Sequence, residues 1–143
     1  MAGSSYKLVR TATADADIAA IRDYTLKTHG KDAAKAYNAL LRQAFKDIRA
    51  DPIRPGSKER PEIGAHVRSY HIALSRGRAG STVKSPRHLV LYFLPKADEI
   101  VVSRVLHDAR DLARHVPRAD VERAGDVGAR RGNRTKDRTG KER

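Results

Sequence analysis

The chain has 143 residues, a length typical of one domain, and 39% of them are hydrophobic. It has no cysteine, which excludes disulfide bonds, thiolate catalysis and cysteine-ligated metal sites. Its formal net charge of +13 favours acidic partners: nucleic acid, an acidic protein segment or an anionic membrane surface. No apolar run reaches the ~20 residues of a membrane span and the start has no apolar signal core, so we expect a cytoplasmic protein.

A helical hairpin is predicted near the N-terminus. Residues 6–10 alternate in polarity and indicate a first strand, and Thr11 can cap the helix that follows. Gly30 is placed to end that helix in the left-handed conformation. The second helix runs from about residue 32 to residue 50, and Pro52 stops it. Because the connection is so short, we expect the two helices to pack antiparallel.

Three strands are predicted after an irregular, proline-rich connection, at 67–74, 88–94 and 99–106. A long basic loop at 75–87 joins the first two, and a hairpin-sized turn at 95–98 joins the last two. A short C-terminal helix is predicted from Asp108 to His115. The sequence therefore predicts an α+β fold: an N-terminal strand, a helical hairpin covering one face of a sheet, a three-stranded antiparallel meander and a short C-terminal helix.

The last 26 residues have a different composition from the rest. Residues 118–143 contain no aromatic residue, Leu, Ile or Met, but nine Lys and Arg and five Asp and Glu. Such a segment buries too little apolar surface to offset the entropy of ordering it. We therefore expect a domain at 1–117 and a disordered basic tail at 118–143. Removing the tail's charge of +4 leaves +9 on the domain, which is itself basic.

Arg104 and His107 stand out at the end of the last predicted strand. Strand alternation groups Val101, Ser103, Val105 and His107 on one face and Ile100, Val102, Arg104 and Leu106 on the other, unless a bulge intervenes. The simpler interpretation is that Arg104 is a structural arginine holding the C-terminal helix, and that His107 packs or caps.

Asp111 and His115 are four positions apart, on one face of the predicted C-terminal helix. Two ligands near a chain end make a poor metal site. Pairing of Asp111 with a nearby arginine is the simpler expectation, so we expect neither a metal nor a cofactor.

Short motifs follow one another in a fixed order along residues 6–116. They are Thr11 to Ile18 with Ile21 and Tyr24, Gly30, Ala36-Tyr37 with Leu40, Asp51-Pro52 and Gly56, Arg60 to Ile63, Val67 to Tyr70, Val90 to Tyr92, and Ile100 to His107 with Asp111 and His115. In this order they resemble the ParE/RelE toxin superfamily, and its ParE branch in particular. The Arg-Val-Leu-His stretch is the most specific of them, while the 75–87 loop and the 118–143 tail depart from the family pattern.

The resemblance implies the toxin component of a bacterial type II toxin–antitoxin module, neutralised by a cognate, acidic, ParD-like antitoxin. Operator DNA would be contacted only through the antitoxin complex. ParE-type toxins poison DNA gyrase without hydrolytic chemistry, which is the function we expect. RelE-type relatives cleave messenger RNA without a metal, which requires cations and proton-transfer groups that converge on one face; the candidates for this alternative are Arg68, Arg104 and His107, with Tyr70 or Tyr92 as acids. A non-toxic antitoxin-binding or co-repressing module is a further alternative. RelE-type toxins also carry a tyrosine near the C-terminus, and no tyrosine follows Tyr92 here.

Two binding surfaces are expected from the resemblance. Target binding is expected at Arg104, His107, Asp111 and His115. Antitoxin anchors are expected at three residues that lie beside the regularly spaced apolar positions of the two helices: Tyr24, Leu41 and Phe45. An acidic antitoxin segment would suit a basic toxin, because opposite charge speeds encounter and apolar anchors fix the register.

Overall fold

A computed structural model describes residues 6–79 and 81–109, together with Val116 and Asp120. Its helices are α1 (Ala12–His29), α2 (Lys31–Ala50) and the short α3 (Arg76–Ala79), which follows a 3-10 turn at Ile72–Ser75. Its strands are β1 (Lys7–Arg10), β2 (Lys58–Glu59), β3 (Val67–His71), β4 (His88–Lys96) and β5 (Glu99–His107). None of the helices in the described residues is long and apolar enough to cross a membrane.

The strands form one sheet in the order β1-β5-β4-β3-β2. β3, β4 and β5 pair antiparallel, so the predicted meander and the α+β class are confirmed. β1 lies parallel to β5 at one edge, and β2 pairs with β3 at the other. β2 was not predicted, because two residues carry no readable pattern. The predicted C-terminal helix lies outside the described residues except for Asp108 and Ala109, which form a turn.

The helical hairpin has the three boundary residues that the sequence predicts, although Gly30 has a different positive-φ conformation from the left-handed one expected. The Thr11 hydroxyl accepts a hydrogen bond from the Ala14 amide at 3.0 Å and caps α1. Gly30 alone separates the helices, with φ 93° and ψ 176°, a conformation that is open essentially to glycine only. Pro52 follows the end of α2 by two residues. The hairpin therefore turns back on itself within one residue.

We expect the Gly30→Ala variant to lose about 1–3 kcal/mol of unfolding free energy, because a Cβ is strained at this backbone conformation although nothing obstructs it in space. Chemical denaturation followed by circular dichroism measures the loss. Gly77→Ala is the matched control, since Gly77 also faces open space but lies in α3 without a positive φ. Equal effects of the two substitutions would contradict the strain argument.

Apolar residues pack on both faces of the sheet. On the helix side, α1 and α2 pack against β-strand residues that include Tyr70, Val90, Tyr92, Ile100, Val102 and Val105. The opposite face, which we call the far face, is formed by Val67, Leu89, Leu91, Phe93, Val101 and Leu106, with Ile63 packed on it. The sheet is thus apolar on both sides, although the two long helices cover only one of them.

A bulge at Ser103 changes the alternation of β5. Leu91 lies opposite Arg104 and Tyr92 opposite Val102, so Ser103 is an extra residue in β5. The predicted grouping of Val101 with Val105, and of Val102 with Leu106, was therefore wrong: Val105 joins Val102 on the helix side, and Leu106 joins Val101 on the far face. Arg104 and His107 still leave β5 on opposite faces, because cross-strand partners share a face. The partner of Arg104, Leu91, lies on the far face, and the partner of His107, His88, bonds Tyr37 on the helix side.

Candidate functional site

Arg104 is tied to α1 by a two-pronged ion pair. Its Nε and Nη2 donate to the two carboxylate oxygens of Asp17 at 2.7 and 2.8 Å, and the Val105 amide donates to the same carboxylate at 3.0 Å. This bonding to Asp17 raises the pKa of Arg104. The side chains of Arg104 and Asp17 are only 19% and 14% exposed. Arg104 is thus a structural arginine, as the simpler interpretation has it, and it is bound to α1 through Asp17. Most of the predicted C-terminal helix lies outside the described residues.

The ends of three neighbouring strands bring three histidines together: His71, His88 and His107, which we call the histidine cluster. His88 Nδ1 lies 2.6 Å from the Tyr37 hydroxyl of α2, and its ring meets that of His107 edge to face at 5.4 Å. The Arg87 amide donates to the Tyr37 hydroxyl. The described residues contain no grouping of three or more side chains able to hold a metal ion.

Asp108 closes the same end of the sheet. Its carboxylate bonds His71 Nε2 at 3.0 Å and the Arg87 guanidinium at 3.0 Å. These contacts, with Arg87 as the largest cause, lower the pKa of Asp108 to about 2. The turn after β5 is therefore tied both to the end of β3 and to the residue before β4.

Burial, and next the neighbouring His107, lower the pKa of His88 from 6.5 to about 4. The unfolded chain therefore takes up a proton at His88 as the pH falls through 6.5, whereas the folded protein does so only near pH 4. The contribution of His88 to stability is complete above pH 6.5 and is lost as the pH falls toward 4.

We expect the thermal midpoint to fall between pH 7.5 and pH 5, and the fall to shrink in the His88→Gln variant. Glutamine can still bond the Tyr37 hydroxyl but does not titrate. The range stops at pH 5 so that Asp108 stays ionised. His29→Gln, at the exposed end of α1, is the control and should keep the pH dependence of the unmodified protein. An unchanged slope in His88→Gln would contradict the assignment.

A concavity of about 480 Å³ adjoins the histidine cluster. It is lined by Ala20, Ile21, Tyr24, His88, His107 and Ala109. Tyr24 is 66% exposed, with its ring edge to face with that of His29, and His107 is partly exposed. The sequence predicts antitoxin binding at Tyr24 and target binding at His107, but the two side chains line the same concavity. Asp111 and His115 lie outside the described residues.

A second concavity, which we call the β1–α2 groove, has a volume of about 500 Å³. It is lined by Leu8, Arg10, Ala39, Arg42, Gln43, Phe45, Lys46 and Arg49. Phe45 is largely buried at this groove, while Leu41 is 2% exposed and belongs to the helix-side core. Of the three expected antitoxin anchors, then, Tyr24 is exposed, Phe45 lines a groove and Leu41 does not reach the surface.

The cations of the β1–α2 groove differ in how they are engaged. Arg10 pairs with Asp15 at 2.6 Å and lies over the Phe45 ring, and Arg49 donates to the Tyr6 carbonyl. Arg42 and Lys46 make no ion pair with a carboxylate in the described part of the chain, and both are exposed or nearly so. Among the described strands β1 pairs only with β5, so its outer backbone edge, which borders the groove, has no strand partner there.

The residues that a ribonuclease would need do not converge. Arg68 bonds the Ser57 hydroxyl at 2.8 Å and lies in register with Tyr92 and Val102, whereas His107 lies in register with His88. Four residues along β4 separate these rows, about 13 Å. Arg104 leaves the sheet on the other face. Tyr92 is fully buried, and burial raises the pKa of its hydroxyl.

Comparison with known proteins places this geometry in a family. Residues 8–112 match the family model described as the ParE toxin of the type II toxin–antitoxin system parDE. The chain belongs to the ParE toxin family. The match spans every helix and strand from α1 to β5, which confirms the resemblance seen in the sequence. The residues after 112 lie beyond it.

A solved structure described as the chromosomal ParDE toxin–antitoxin system from P. aeruginosa is similar in fold. Its TM-score is 0.54 at 19% sequence identity, and the alignment covers 73% of this chain and 98% of the other. At this identity the likeness shows the fold alone, that of ParE. No curated protein matches the sequence.

Proposed function

We propose that this protein is the toxin of a type II toxin–antitoxin module, that it inhibits DNA gyrase in the cytoplasm, and that a cognate acidic, ParD-like antitoxin neutralises it. The observation that carries the proposal is membership of the ParE toxin family across residues 8–112. The net charge of +13 supports it, since both a DNA-bound target and an acidic antitoxin would attract a basic protein.

The β1–α2 groove is the proposed seat of the antitoxin segment. It combines the unpaired edge of β1, an apolar floor at Phe45 and the unpaired cations Arg42 and Lys46. An extended chain can add to such an edge through backbone hydrogen bonds, while side-chain pockets and charges select the partner. A segment with alternating acidic and apolar residues fits these features.

The concavity around His107 and Tyr24 is the proposed target surface. His107 is accessible there, and Asp111 and His115 follow it closely in the sequence. Arg104 contributes indirectly, because its pairing with Asp17 fixes α1 against β5. The ribonuclease alternative gains no support, since Arg68, Arg104 and His107 lie apart.

The test is a supercoiling assay. Purified protein is incubated with DNA gyrase, relaxed plasmid and ATP, and the products are separated on a gel after protein digestion. We expect lost supercoiling and linear DNA, both reversed by the antitoxin. His107→Asn should weaken the inhibition. The control His66→Asn, at the opposite end of the sheet, should not, and asparagine tolerates the left-handed backbone there.

Unchanged supercoiling by folded protein would contradict gyrase inhibition. Cleavage of messenger RNA in a parallel reaction would then favour the ribonuclease alternative. Tight antitoxin binding without either activity would favour the non-toxic module.

A further inference from the structure

The far face of the sheet is buried although α1 and α2 lie on the other side. Leu91, Phe93 and Val101 are each at most 2% exposed. Among the described residues outside the strands, Ile63 and Val116 pack on this face. Val116 follows the end of β5 by nine residues and packs on the sheet to which β5 belongs.

Asp120 provides a second, polar attachment at the same face. Its side chain accepts a hydrogen bond from the Ser103 hydroxyl at 2.6 Å, and the residue is 8% exposed. Ser103 is the bulge residue of β5, so its hydroxyl belongs to a position that has no cross-strand partner of its own on β4. Asp120 also contributes, after Asp17, to raising the pKa of Arg104, the next residue on β5.

These two attachments belong to a part of the chain that the family does not define. Val116 and Asp120 lie beyond the family match at 8–112, and the structural relative covers 73% of this chain while using 98% of its own length. Asp120 also falls within the segment that the sequence assigns to a disordered tail. The contacts of Val116 and Asp120 are therefore a property of this chain and its extension.

We propose that Val116 and Asp120 form an intramolecular cover for part of the apolar far face, Val116 by packing on it and Asp120 by accepting the hydrogen bond from Ser103. An open apolar face of this size would favour association with other chains. The cover prevents this, and Val116 and Asp120 therefore belong to the folded toxin although both lie beyond the family match. The inference does not depend on the identity of the toxin's target.

The absence of native cysteine makes a direct test possible. A Val101→Cys substitution reports on the far face, and Val102→Cys reports on the helix-side core. In each background, Asp120→Ala is compared with Asp126→Ala, which makes the same change of charge six residues further along. The rate of modification by a small thiol reagent is measured under native conditions, with circular dichroism to verify folding.

We expect Asp120→Ala to raise the labelling rate of Val101→Cys about tenfold or more, as expected when a buried bond to a charged group is lost. Asp126→Ala should leave the rate unchanged, and Val102→Cys should respond to neither. Ser103→Ala and Val116→Ala should reproduce the effect, and they replace Asp120→Ala if that variant does not fold. Unchanged labelling at position 101, or equal increases at 101 and 102, would overturn the proposal.

Discussion

Replacing Asp17 with alanine is expected to lower the free energy of unfolding by about 2–4 kcal/mol, one of the largest losses available from a helix position outside the apolar core. The substitution removes the two-pronged carboxylate partner of the Arg104 guanidinium, which is 19% exposed, and the acceptor of the Val105 amide. The cost lies in the lower part of the range for buried pairs because some of the guanidinium reaches solvent. Urea unfolding followed by circular dichroism measures the loss.

Asp15 provides the matched control. It lies two residues away on the same helix and pairs with Arg10 at 2.6 Å, but both side chains are about half exposed. Exposed pairs of this kind contribute about 0–1 kcal/mol, so Asp15→Ala should be nearly neutral. Similar losses from the two variants would mean that the burial of the Asp17 pair does not determine its contribution.

The importance of Asp17 follows from the shape of the sheet. β1 ends at Arg10, whereas β5 continues to His107, so on the side away from β4 the end of β5 has no described strand beside it. The first turns of α1 take that place: the Thr11 hydroxyl donates to the Ser103 carbonyl at 2.9 Å, and Asp17 accepts from the Val105 amide. Side chains of a helix thus satisfy backbone groups that a neighbouring strand would otherwise pair.

Local signals in the sequence predict local structure well here. Thr11, Gly30 and Pro52 set the helix boundaries because capping, positive φ and the missing amide act within a few residues. The partner of Arg104 could not be predicted in this way, since 87 residues separate it from Asp17. The same holds for Asp47, a buried acid on α2 that accepts a hydrogen bond from Ser75, 28 residues away.

Which residues share a candidate surface depends on the pairing register of the strands, and sequence patterns determine that register only weakly. Strand alternation assigned Val105 to the wrong face because one bulge residue, Ser103, shifts every position after it. The histidine cluster likewise requires that His88 lie opposite His107, a pairing set by the turn and the bulge together. The apolar positions of α2 were predicted from the sequence. Whether Leu41 or Phe45 lines a groove depends on the position of β1, because Leu8 and Arg10 of β1 form the other wall of the groove at Phe45.

Charge, rather than apolar area, distinguishes the β1–α2 groove from the concavity around His107. The groove contains four cations around a small apolar floor, and three of these cations, Arg42, Lys46 and Arg49, lack an acidic partner in the described residues. The concavity around Tyr24 and His107 is lined mainly by rings and small aliphatic side chains. An acidic partner segment should therefore be attracted to the groove and a less charged surface to the concavity.

Reversing the two unpaired charges, by Arg42→Glu with Lys46→Glu, should slow association with an acidic antitoxin about 10- to 100-fold at low salt. Both side chains lie at the rim of the groove, so the fold should be retained. The control, Lys58→Glu with Lys84→Glu, makes the same change in net charge at exposed positions outside the groove and should reduce the rate much less.

Stopped-flow association at two salt concentrations separates the two pairs, because added salt should slow the unmodified protein toward the rate of the groove variant. Equal slowing by both pairs would show that only the total charge matters, and would contradict the assignment of the antitoxin to the β1–α2 groove.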